Sequence, residues 1–209
     1  MKQGLLFVGG SGPLPGSFED SPGSVKVAAD SGLELALGLG IEPDLVVGDM
    51  DSISDPSLLA RFPPERVLRF PADKDETDTE IGLRILRERG CGEITIVGGG
   101  GGRLDHLLGI VSLFEREDPP RRWITNEADV RLIDGMAEFR GWEGAIVSLF
   151  PLGLRAARMR SEGLRWSLDG LEFKRGQGGI SNLVIADRMA IAVGVGKLLL
   201  VRVSRGACP

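Results

Sequence analysis

The segment Asp44-Leu45-Val46-Val47-Gly48-Asp49-Met50-Asp51-Ser52 places a short apolar run directly before two aspartates. Such a run, with no polar alternation, is typical of a parallel strand covered on both faces. In open α/β sheets, ligands bind beyond the carboxyl ends of the strands, where Asp49 and Asp51 fall. The two side chains can share one ion only if a turn, which Gly48 would permit, follows the strand. A solvated acidic turn, with Asp51 as a helix N-cap, is the alternative interpretation.

A second acidic segment, Asp73-Lys74-Asp75-Glu76-Thr77-Asp78-Thr79-Glu80, follows the strand-like run Arg66–Phe70. Its carboxylates repel one another unless cations gather them or solvent screens them. Thr77 and Glu80 form a capping-box pattern, which places Asp78 in the first turn of a helix, where the dipole favours its charge. An exposed charged loop before an ordinary capped helix would also explain the segment. Because both acidic segments follow strands, together they favour hard cations held beside phosphates.

Strand-like and helix-like runs alternate in the first half of the chain. The strand-like runs are Leu5–Val8, Val25–Ala29, Asp44–Val47, Arg66–Phe70 and Glu93–Val97, and the helix-like segments are Leu33–Leu39, Ser57–Arg61, Asp78–Arg89 and Leu104–Glu117. This order predicts an open, mainly parallel α/β sheet domain over residues 1–120. Asp30 follows the second strand-like run in Ala28-Ala29-Asp30-Ser31-Gly32, so a third strand also ends in an acidic residue.

Short β-like runs replace the helical period beyond Asp118-Pro119-Pro120-Arg121-Arg122. They are Val130–Ile133, Met136–Arg140, Ala145–Phe150, Arg165–Leu168, Leu171–Lys174, Leu183–Ala186, Met189–Val193 and Lys197–Val203. Turn signals separate them, so we interpret residues 121–209 as a C-terminal antiparallel β-sandwich or jelly-roll-like domain. We expect the last two runs to form a hairpin.

The composition indicates a cytoplasmic enzyme or binding protein. The chain has 209 residues, of which 42% are hydrophobic, and a net charge of -5, which does not favour a nucleic-acid or membrane surface. It shows no long apolar run and no signal peptide. Its two cysteines, Cys91 and Cys208, form neither a disulfide framework nor a zinc-binding spacing.

A glycine run, Gly98–Gly102, follows the strand Glu93–Val97 and precedes Arg103-Leu104-Asp105-His106. Glycines allow a close approach of backbone to ligand, and the following helix start favours anions. Arg103 could hold a phosphate through two hydrogen bonds, and Asp105 could bind a cation or a polar substrate group. His106 is the single histidine of the chain, and a structural role in this loop is the alternative to a functional one.

Two features of the second half could form a ligand-binding site. Trp166 lies in Gly163-Leu164-Arg165-Trp166, and Ser181 and Asn182 lie in Gly179-Ile180-Ser181-Asn182. An aromatic face with small polar groups suits a flat, cationic heterocycle. A core tryptophan and a simple turn are the alternatives.

Taken in order, these motifs resemble the thiamine pyrophosphokinase family. The motifs that carry the resemblance are Ala29-Asp30-Ser31-Gly32, Gly48-Asp49-Met50-Asp51-Ser52-Ile53, Lys74-Asp75-Glu76-Thr77-Asp78-Thr79-Glu80, Gly101-Gly102-Arg103-Leu104-Asp105-His106, Gly163-Leu164-Arg165-Trp166 and Gly179-Ile180-Ser181-Asn182. The resemblance implies an α/β nucleotide-binding domain joined to a β-sandwich that serves in acceptor binding and dimerisation. It further implies a homodimer with active sites at the subunit interface, and transfer of pyrophosphate from ATP to the thiamine hydroxyl with release of AMP.

The resemblance also implies roles for residues. Asp49, Asp51 and Asp78 would be the carboxylates that bind Mg²⁺. Asp30 and Asp75 would support the metal–triphosphate region. On chemical grounds alone, Asp75 or Asp78 could also assist deprotonation of the hydroxyl. The remaining residues would contact ATP or thiamine: Thr77, Thr79, Arg103, Asp105, His106, Ser181 and Asn182.

Several positions depart from the family pattern. The usual Ala-Asp-Gly-Gly-Ala-Asn reads Ala29-Asp30-Ser31-Gly32-Leu33-Glu34, Met50 replaces a common Phe, and Gly109 replaces a common Asn. Three other functions are alternatives: a pyrophosphokinase for another hydroxymethyl heterocycle such as a pterin, which would keep the acidic motifs, a non-catalytic nucleotide- or thiamine-sensing module, and a metal-dependent phosphohydrolase.

Overall fold

The continuous apolar runs of the first half form parallel strands. A computed structural model describes residues 1–18 and 20–204, and the chain divides into two units. Unit 1 comprises Met1–Ile110 and Pro120–Asn126. Its strands, within the described residues, are β1 (Lys2–Val8), β2 (Val25–Ala29), β3 (Leu45–Gly48), β4 (Val67–Arg69), β5 (Cys91–Gly98) and β6 (Arg122–Ile124). They pair in the order β6-β5-β1-β2-β3-β4, and every one of these pairings is parallel.

Helices cover both faces of this sheet. The helices found in the part of the chain that the structure describes are α1 (Gly32–Gly38), α2 (Asp78–Glu88) and α3 (Leu104–Leu113), with short 3₁₀ helices at Pro56–Arg61 and Pro64–Arg66. Phe7 of β1 shares an apolar cluster with Leu33 of α1. Leu6 faces the other way, since a Cβ on Gly82 of α2 would lie 2.4 Å from Leu6 Cδ1. This two-sided burial is why the strands are apolar throughout rather than alternating.

Unit 2, residues 111–119 and 127–204 of the described chain, is antiparallel. Its strands are β7 (Ala128–Ile133), β8 (Met136–Arg140), β9 (Ile146–Ala157), β10 (Arg160–Glu162), β11 (Phe173–Lys174), β12 (Gly179–Leu183), β13 (Arg188–Ala192) and β14 (Val195–Val203). One layer has the order β11-β9-β14-β7, with β12 also on β9, and the other has the order β10-β13-β8. Leu149 and Leu200 of the first layer share a core with Met189 and Ile191 of the second, as in a sandwich. The predicted fold class, an α/β domain followed by a β-sandwich, is confirmed.

The predicted hairpin of the last two runs is wrong. β13 pairs with β8 and β10, whereas β14 pairs with β7 and β9. Both strands turn apolar residues toward the shared core from opposite sides, so the turn at Gly194 crosses from one layer to the other. The predicted runs Arg165–Leu168 and Leu183–Ala186 are likewise not strands of this length, since the backbone there contributes only β12 and a Leu164–Val184 bridge.

The structure also bears on what the sequence indicated about membrane spans, cysteines and the third helix. None of the helices in the described ranges has the length and apolar character that a membrane crossing needs. Cys91 of β5 is a buried free thiol, and Cys208 lies outside the described residues. The amphipathic segment predicted over Leu104–Glu117 is helical only as far as Leu113.

Candidate active site

Asp30 lies at the carboxyl end of β2, where the chain turns into α1. Its N–H donates to Val47 O at 2.9 Å and so continues the pairing of β2 with β3. The backbone of Asp30 has φ 49°, in the left-handed region that aspartate tolerates better than most residues. Its Cβ lies 3.4 Å from the position that a Cβ on Gly48 would take. Asp30 therefore closely flanks the end of β3.

The loop after β3 brings Asp49 and Asp51 together. Met50, between them, has φ 68°, and the Asp51 N–H donates to Asp49 Oδ1 at 3.1 Å, which closes a tight turn. Carboxylate oxygens of Asp30, Asp49 and Asp51 consequently lie within 4.8 Å of one another. The turn that one shared ion would require is thus present, and Met50 as well as Gly48 makes it.

Asp78 approaches the same place from α2. Thr77 caps this helix: its hydroxyl accepts from the Glu80 N–H at 3.3 Å, and the Glu80 carboxylate accepts from the Thr77 N–H at 2.8 Å. A Cβ on Gly48 would lie 3.1 Å from Asp78 Oδ1, so the first turn of α2 lies against the end of β3. The carboxylates Asp30, Asp49, Asp51 and Asp78 are called the acidic cluster below.

Lys74 links two members of the acidic cluster. Its Nζ lies 3.3 Å from Asp78 Oδ1 and 3.5 Å from Asp49 Oδ2. Burial lowers the pKa of Lys74, but the close contact and charge of Asp78, followed by those of Asp49, outweigh burial and leave the pKa raised. One ammonium therefore faces two carboxylates of the acidic cluster.

The electrostatic environment disfavours full ionisation of the acidic cluster. Burial raises the pKa of Asp30 above its ordinary value, and the charges of Asp49 and Asp51 raise it further, although hydrogen bonds from Ser52 oppose this shift. Burial also raises the pKa of Asp78, with added repulsion from Asp49 and Asp30, although Lys74 opposes this shift. Asp49 differs, because the Asp51 N–H lowers its pKa. A cation within the cluster would relieve the repulsion.

The donor atoms of the acidic cluster fit a hard divalent cation. Asp30 Oδ1 and Asp78 Oδ1 are buried and accept no hydrogen bond from any described residue. The Lys74 ammonium reaches Asp78 Oδ1 at ion-pair distance, but without the angles of a hydrogen bond. Buried carboxylate oxygens without donors are costly unless a cation compensates them. An all-carboxylate set of oxygen ligands is the kind that Mg²⁺ binds.

Residues outside the acidic cluster hold the loop after β3 in place. Glu34 Oε1, on α1, accepts from the N–H groups of Ser54 at 2.9 Å and Asp55 at 3.1 Å. The Ser52 hydroxyl donates to Asp51 Oδ1 at 2.9 Å. Sequence reasoning treated Glu34 only as a departure from a motif and gave Ser52 no role. The acidic residue at position 34 was the available signal, since it follows Asp30 by one helical turn.

The glycine loop after β5 is tied to the loop after β1. The Ser11 N–H donates to Gly100 O at 2.6 Å, and the Gly100 N–H donates to Ser11 O at 3.0 Å. Gly98 has φ 100°, and a Cβ there would lie 2.2 Å from Val8 O, so only glycine fits. The loops after β1 and β5 therefore form one hydrogen-bonded structure at the ends of adjacent strands.

Arg103, Asp105 and His106 are exposed at the start of α3. Arg103 Nη2 donates to Asp105 Oδ2 at 2.6 Å and Nε donates to Oδ1 at 3.1 Å. This bidentate pairing with Arg103 lowers the pKa of Asp105 to about 2. The sequence suggested a separate ligand for each of these two residues, whereas here they bind each other.

The other candidates of the second acidic segment differ in their surroundings. Asp75 is exposed on the loop before α2, and Thr79 is half-buried in its first turn. The Thr77 hydroxyl is engaged in the cap, where it also donates to Glu80 Oε2 at 2.8 Å. Of these three residues, Thr77 therefore has a demonstrated structural role.

The candidates in unit 2 lie on and beside β12. Asn182 is buried, and its side chain accepts from the Trp166 N–H at 3.1 Å and donates to Trp166 O at 2.7 Å. Ser181 has φ 59° and is exposed, and its N–H donates to Ser148 Oγ at 3.1 Å. Trp166 is 57% exposed, so its interpretation as a core residue is wrong. The Arg165 guanidinium lies 5.2 Å from the centre of its ring.

Two family models match this chain, one over most of unit 1 and the other within unit 2. The family model "Thiamin pyrophosphokinase, catalytic domain" matches residues 21–122. The family model "Thiamin pyrophosphokinase, vitamin B1 binding domain" matches residues 132–200. Together these matches cover most of the chain.

Individual relatives agree with these descriptions. The thiamine pyrophosphokinase of Bacillus subtilis (strain 168) is 31% identical over 109 residues, which make up 52% of this chain and 48% of that protein. The crystal structure of thiamin pyrophosphokinase from Geobacillus thermodenitrificans has a TM-score of 0.81 and 27% identity, with 100% of both chains covered. The crystal structure of the Bacillus subtilis protein has a TM-score of 0.83 at 23% identity, with 97% and 99% covered, and shows a shared fold. The chain spans between 48% and 64% of the length of the curated relatives it matches.

Proposed function

Because this chain belongs to the thiamine pyrophosphokinase family, we propose that it transfers a pyrophosphoryl group from ATP to the hydroxyl of thiamine, dependent on Mg²⁺. The hydroxyl oxygen forms a bond to the β-phosphorus, and the bond from that phosphorus to the oxygen bridging the α- and β-phosphates breaks. AMP leaves with the bonding electron pair, the hydroxyl proton is released, and thiamine diphosphate is formed.

The observation that carries the proposal is the acidic cluster at the ends of parallel strands β2 and β3 and the start of α2. Asp49, Asp51 and Asp78 would hold Mg²⁺, and the adjacent Asp30 carboxylate would complete or support that ligand set. Bound Mg²⁺ supplies charge neutralisation at the phosphate oxygens and draws charge from the reacting phosphoryl group.

The chain's own residues contribute position and charge. Phosphoryl transfer needs little covalent assistance, so most of the rate comes from holding the hydroxyl in line with the β-phosphorus. The carboxylates of Asp75 and Asp78 are the candidates to receive the hydroxyl proton. Thr77 and Thr79, beside Asp78, would contact the nucleotide, with the cap of α2 keeping this turn rigid.

The start of α3 would bind both substrates. Arg103 would meet a phosphate and Asp105 would lie on the thiamine side, with His106 beside them. Since Arg103 and Asp105 bind each other at 2.6 Å, each substrate replaces one partner of an existing ion pair. The exchange leaves neither charge unpaired, which favours binding of both substrates together.

Residues 121–209 would form the acceptor-binding and dimerisation domain, and residues 1–120 the ATP- and Mg²⁺-binding domain. The exposed ring of Trp166 offers a face to the flat rings of thiamine, of which the thiazolium is cationic, with Ser181 on neighbouring β12. Asn182 would act indirectly, because its amide is engaged in holding the Trp166 backbone. We further propose a homodimer with active sites at the subunit interface, located in the cytoplasm, where its donor ATP is available.

The test is an acceptor panel with purified protein and Mg-ATP, in which AMP and the diphosphorylated product are measured. We expect AMP formation that requires both Mg²⁺ and thiamine. If AMP forms with a hydroxymethyl pterin and not with thiamine, the acceptor is the pterin rather than thiamine. Product release without any acceptor would indicate a phosphohydrolase, and ligand binding without AMP would indicate a sensing module.

Asp49→Asn tests the metal ligands within the same assay. Loss of a charged ligand should lower kcat by a factor of roughly 10² or more while the circular dichroism spectrum is unchanged. Glu88→Gln is the matched control, because it also replaces one carboxylate by an amide. Glu88 lies at the end of α2 far from the acidic cluster, where it pairs with exposed Arg84. A near-normal rate of Asp49→Asn at saturating Mg²⁺ would contradict the assignment.

A further inference from the structure

Lys74 is a positively charged residue in contact with two carboxylates of the acidic cluster. Its side chain is only 15% exposed, and its Nζ contacts Asp49 from the loop after β3 and Asp78 from α2. Both contacts are to carboxylates assigned above to Mg²⁺. The ammonium and a divalent cation would therefore draw on the same oxygens.

The contacts of Lys74 have the lengths of a loose ion pair. They measure 3.3 and 3.5 Å, whereas Lys26 Nζ lies 2.9 Å from Asp20 Oδ2 elsewhere in unit 1. Charge-assisted hydrogen bonds are normally about 2.7–2.9 Å long. Asp78 Oδ1 accordingly accepts no hydrogen bond of good geometry from the described residues, despite its ammonium neighbour. The attraction between Lys74 and these carboxylates is therefore mainly that of their net charges.

We propose that Lys74 is an internal counter-cation that competes with Mg²⁺ for Asp49 and Asp78. This inference rests on the proposed function only in that the acidic cluster binds Mg²⁺. When Mg²⁺ enters alone, the ammonium loses its two carboxylate partners. When Mg²⁺ enters with ATP, a phosphate oxygen becomes the new partner of the ammonium. Lys74 therefore makes the site bind Mg²⁺ weakly alone and more tightly together with the nucleotide.

The competition gives Lys74 a role in the specificity of loading. Without a counter-cation, a site of several carboxylates would attract free divalent cations whether or not the nucleotide is present. With Lys74 present, the phosphates and the metal favour each other's binding, and this coupling is reciprocal. Lys74 is thus a positioning residue whose effect appears in binding equilibria as well as in turnover.

Calorimetric titration of chelator-treated protein tests the proposal. Mg²⁺ is titrated alone, and then in the presence of an ATP analogue with a methylene bridge between the α- and β-phosphates. For Lys74→Met we expect the Kd for Mg²⁺ alone to fall on the order of tenfold, and the enhancement of Mg²⁺ affinity by the analogue to shrink by a similar factor. Lys74→Arg, which keeps the charge, should remain near the wild type in both measurements.

Two further variants make the result specific. Lys26→Met removes a lysine that is similarly buried and paired but lies outside the acidic cluster, and we expect it to leave Mg²⁺ binding unchanged. Lys74→Gln keeps hydrogen-bond donors without the charge, so it serves if Lys74→Met fails to fold. Thermal unfolding in chelator should show both uncharged Lys74 variants melting below the wild type.

Each outcome bears on one claim. If folded Lys74→Met and Lys74→Gln bind Mg²⁺ no more tightly than the wild type, the counter-cation role is overturned. It is also overturned if Lys26→Met tightens binding equally, because the effect would then be one of net charge alone. If the titrations behave as expected while the wild type forms no AMP from Mg-ATP and thiamine, the proposed function fails and the role of Lys74 stands.

Discussion

Several unfavourable terms coincide at Asp30. The residue has φ 49°, its Oδ1 is buried without a donor among the described residues, and Asp49 and Asp51 lie close by. Backbone strain and buried charge each reduce stability, and they persist where the surrounding structure imposes them for function. This loss of stability is consistent with the proposed role of Asp30 beside a bound cation.

Asp30→Asn should stabilise the protein in the absence of divalent cations. Asparagine tolerates the left-handed backbone and removes the buried charge, so we expect the melting temperature in chelator at pH 7 to rise by about 2–4 °C. With Mg²⁺ and ATP present the variant should turn over more slowly. Differential scanning calorimetry in chelator measures the first effect, and AMP formation measures the second.

The pH dependence of this difference follows from the raised pKa of Asp30. Below its ordinary value of 3.8 the carboxyl is protonated in both folded and unfolded chains, so the wild type and Asp30→Asn should be equally stable. As the pH rises from 3.8 through the raised pKa, the unfolded chain releases its proton more readily, and the wild type loses stability relative to the variant. A melting-temperature difference that shrinks with rising pH would show the sign to be wrong.

The positions of the main candidate residues could be predicted from sequence, but their supports could not. Asp49, Asp51 and Asp78 follow apolar runs or a capping box, which are local patterns. Lys74 was visible only as one cation among acids, since its two contacts exist only once β3 and α2 have packed. The left-handed conformation of Met50 has no sequence signal, because methionine rarely adopts it.

At the scale of elements, Glu34 connects α1 to the loop after β3. Its carboxylate accepts hydrogen bonds from the N–H groups of Ser54 and Asp55, which lie 20 and 21 residues further along the chain. Helix α1 thus holds in place a loop that is distant from it in the sequence. The acidic cluster consequently depends on α1 although α1 contributes none of its carboxylates.

Glu34→Ala should therefore weaken both the fold and the site. Loss of an ionised acceptor for two N–H groups should lower the free energy of unfolding by about 1–2 kcal/mol and raise the Kd for Mg²⁺. Glu34→Gln keeps an oxygen at the same place, so it should recover most of the stability and of the Mg²⁺ affinity. Urea unfolding and Mg²⁺ titration provide the measurements, and equal damage in both variants would point to charge rather than loop positioning.

The elements themselves were predicted with different success in the two units. In unit 1 the central parallel strands are buried on both faces, so apolar runs such as Val25–Ala29 coincide with them, whereas the three-residue β6 was missed. In unit 2, β10 is only three residues long and was missed. Which strands pair there depends on the layer that each joins, and β13 and β14 show that adjacency in sequence does not decide it.

At the scale of the whole molecule, the proposed homodimer has a direct test. We expect sedimentation equilibrium to give twice the 22.3 kDa mass of the chain. If active sites lie at the subunit interface, specific activity should fall on dilution together with the dimer fraction, and recover on concentration. A monomer that retains full specific activity would contradict both the dimer and the interfacial site.

Gly48 has a consequence for any search for essential residues. A Cβ at this position would lie 3.1 Å from the carboxylate of Asp78 and 3.4 Å from Asp30 Cβ. In a saturation mutagenesis library selected for activity, position 48 should therefore be as depleted of variants as the aspartates around it. A residue with no functional group would rank among the most important of the chain, because the space it leaves empty sets how closely the charges approach one another.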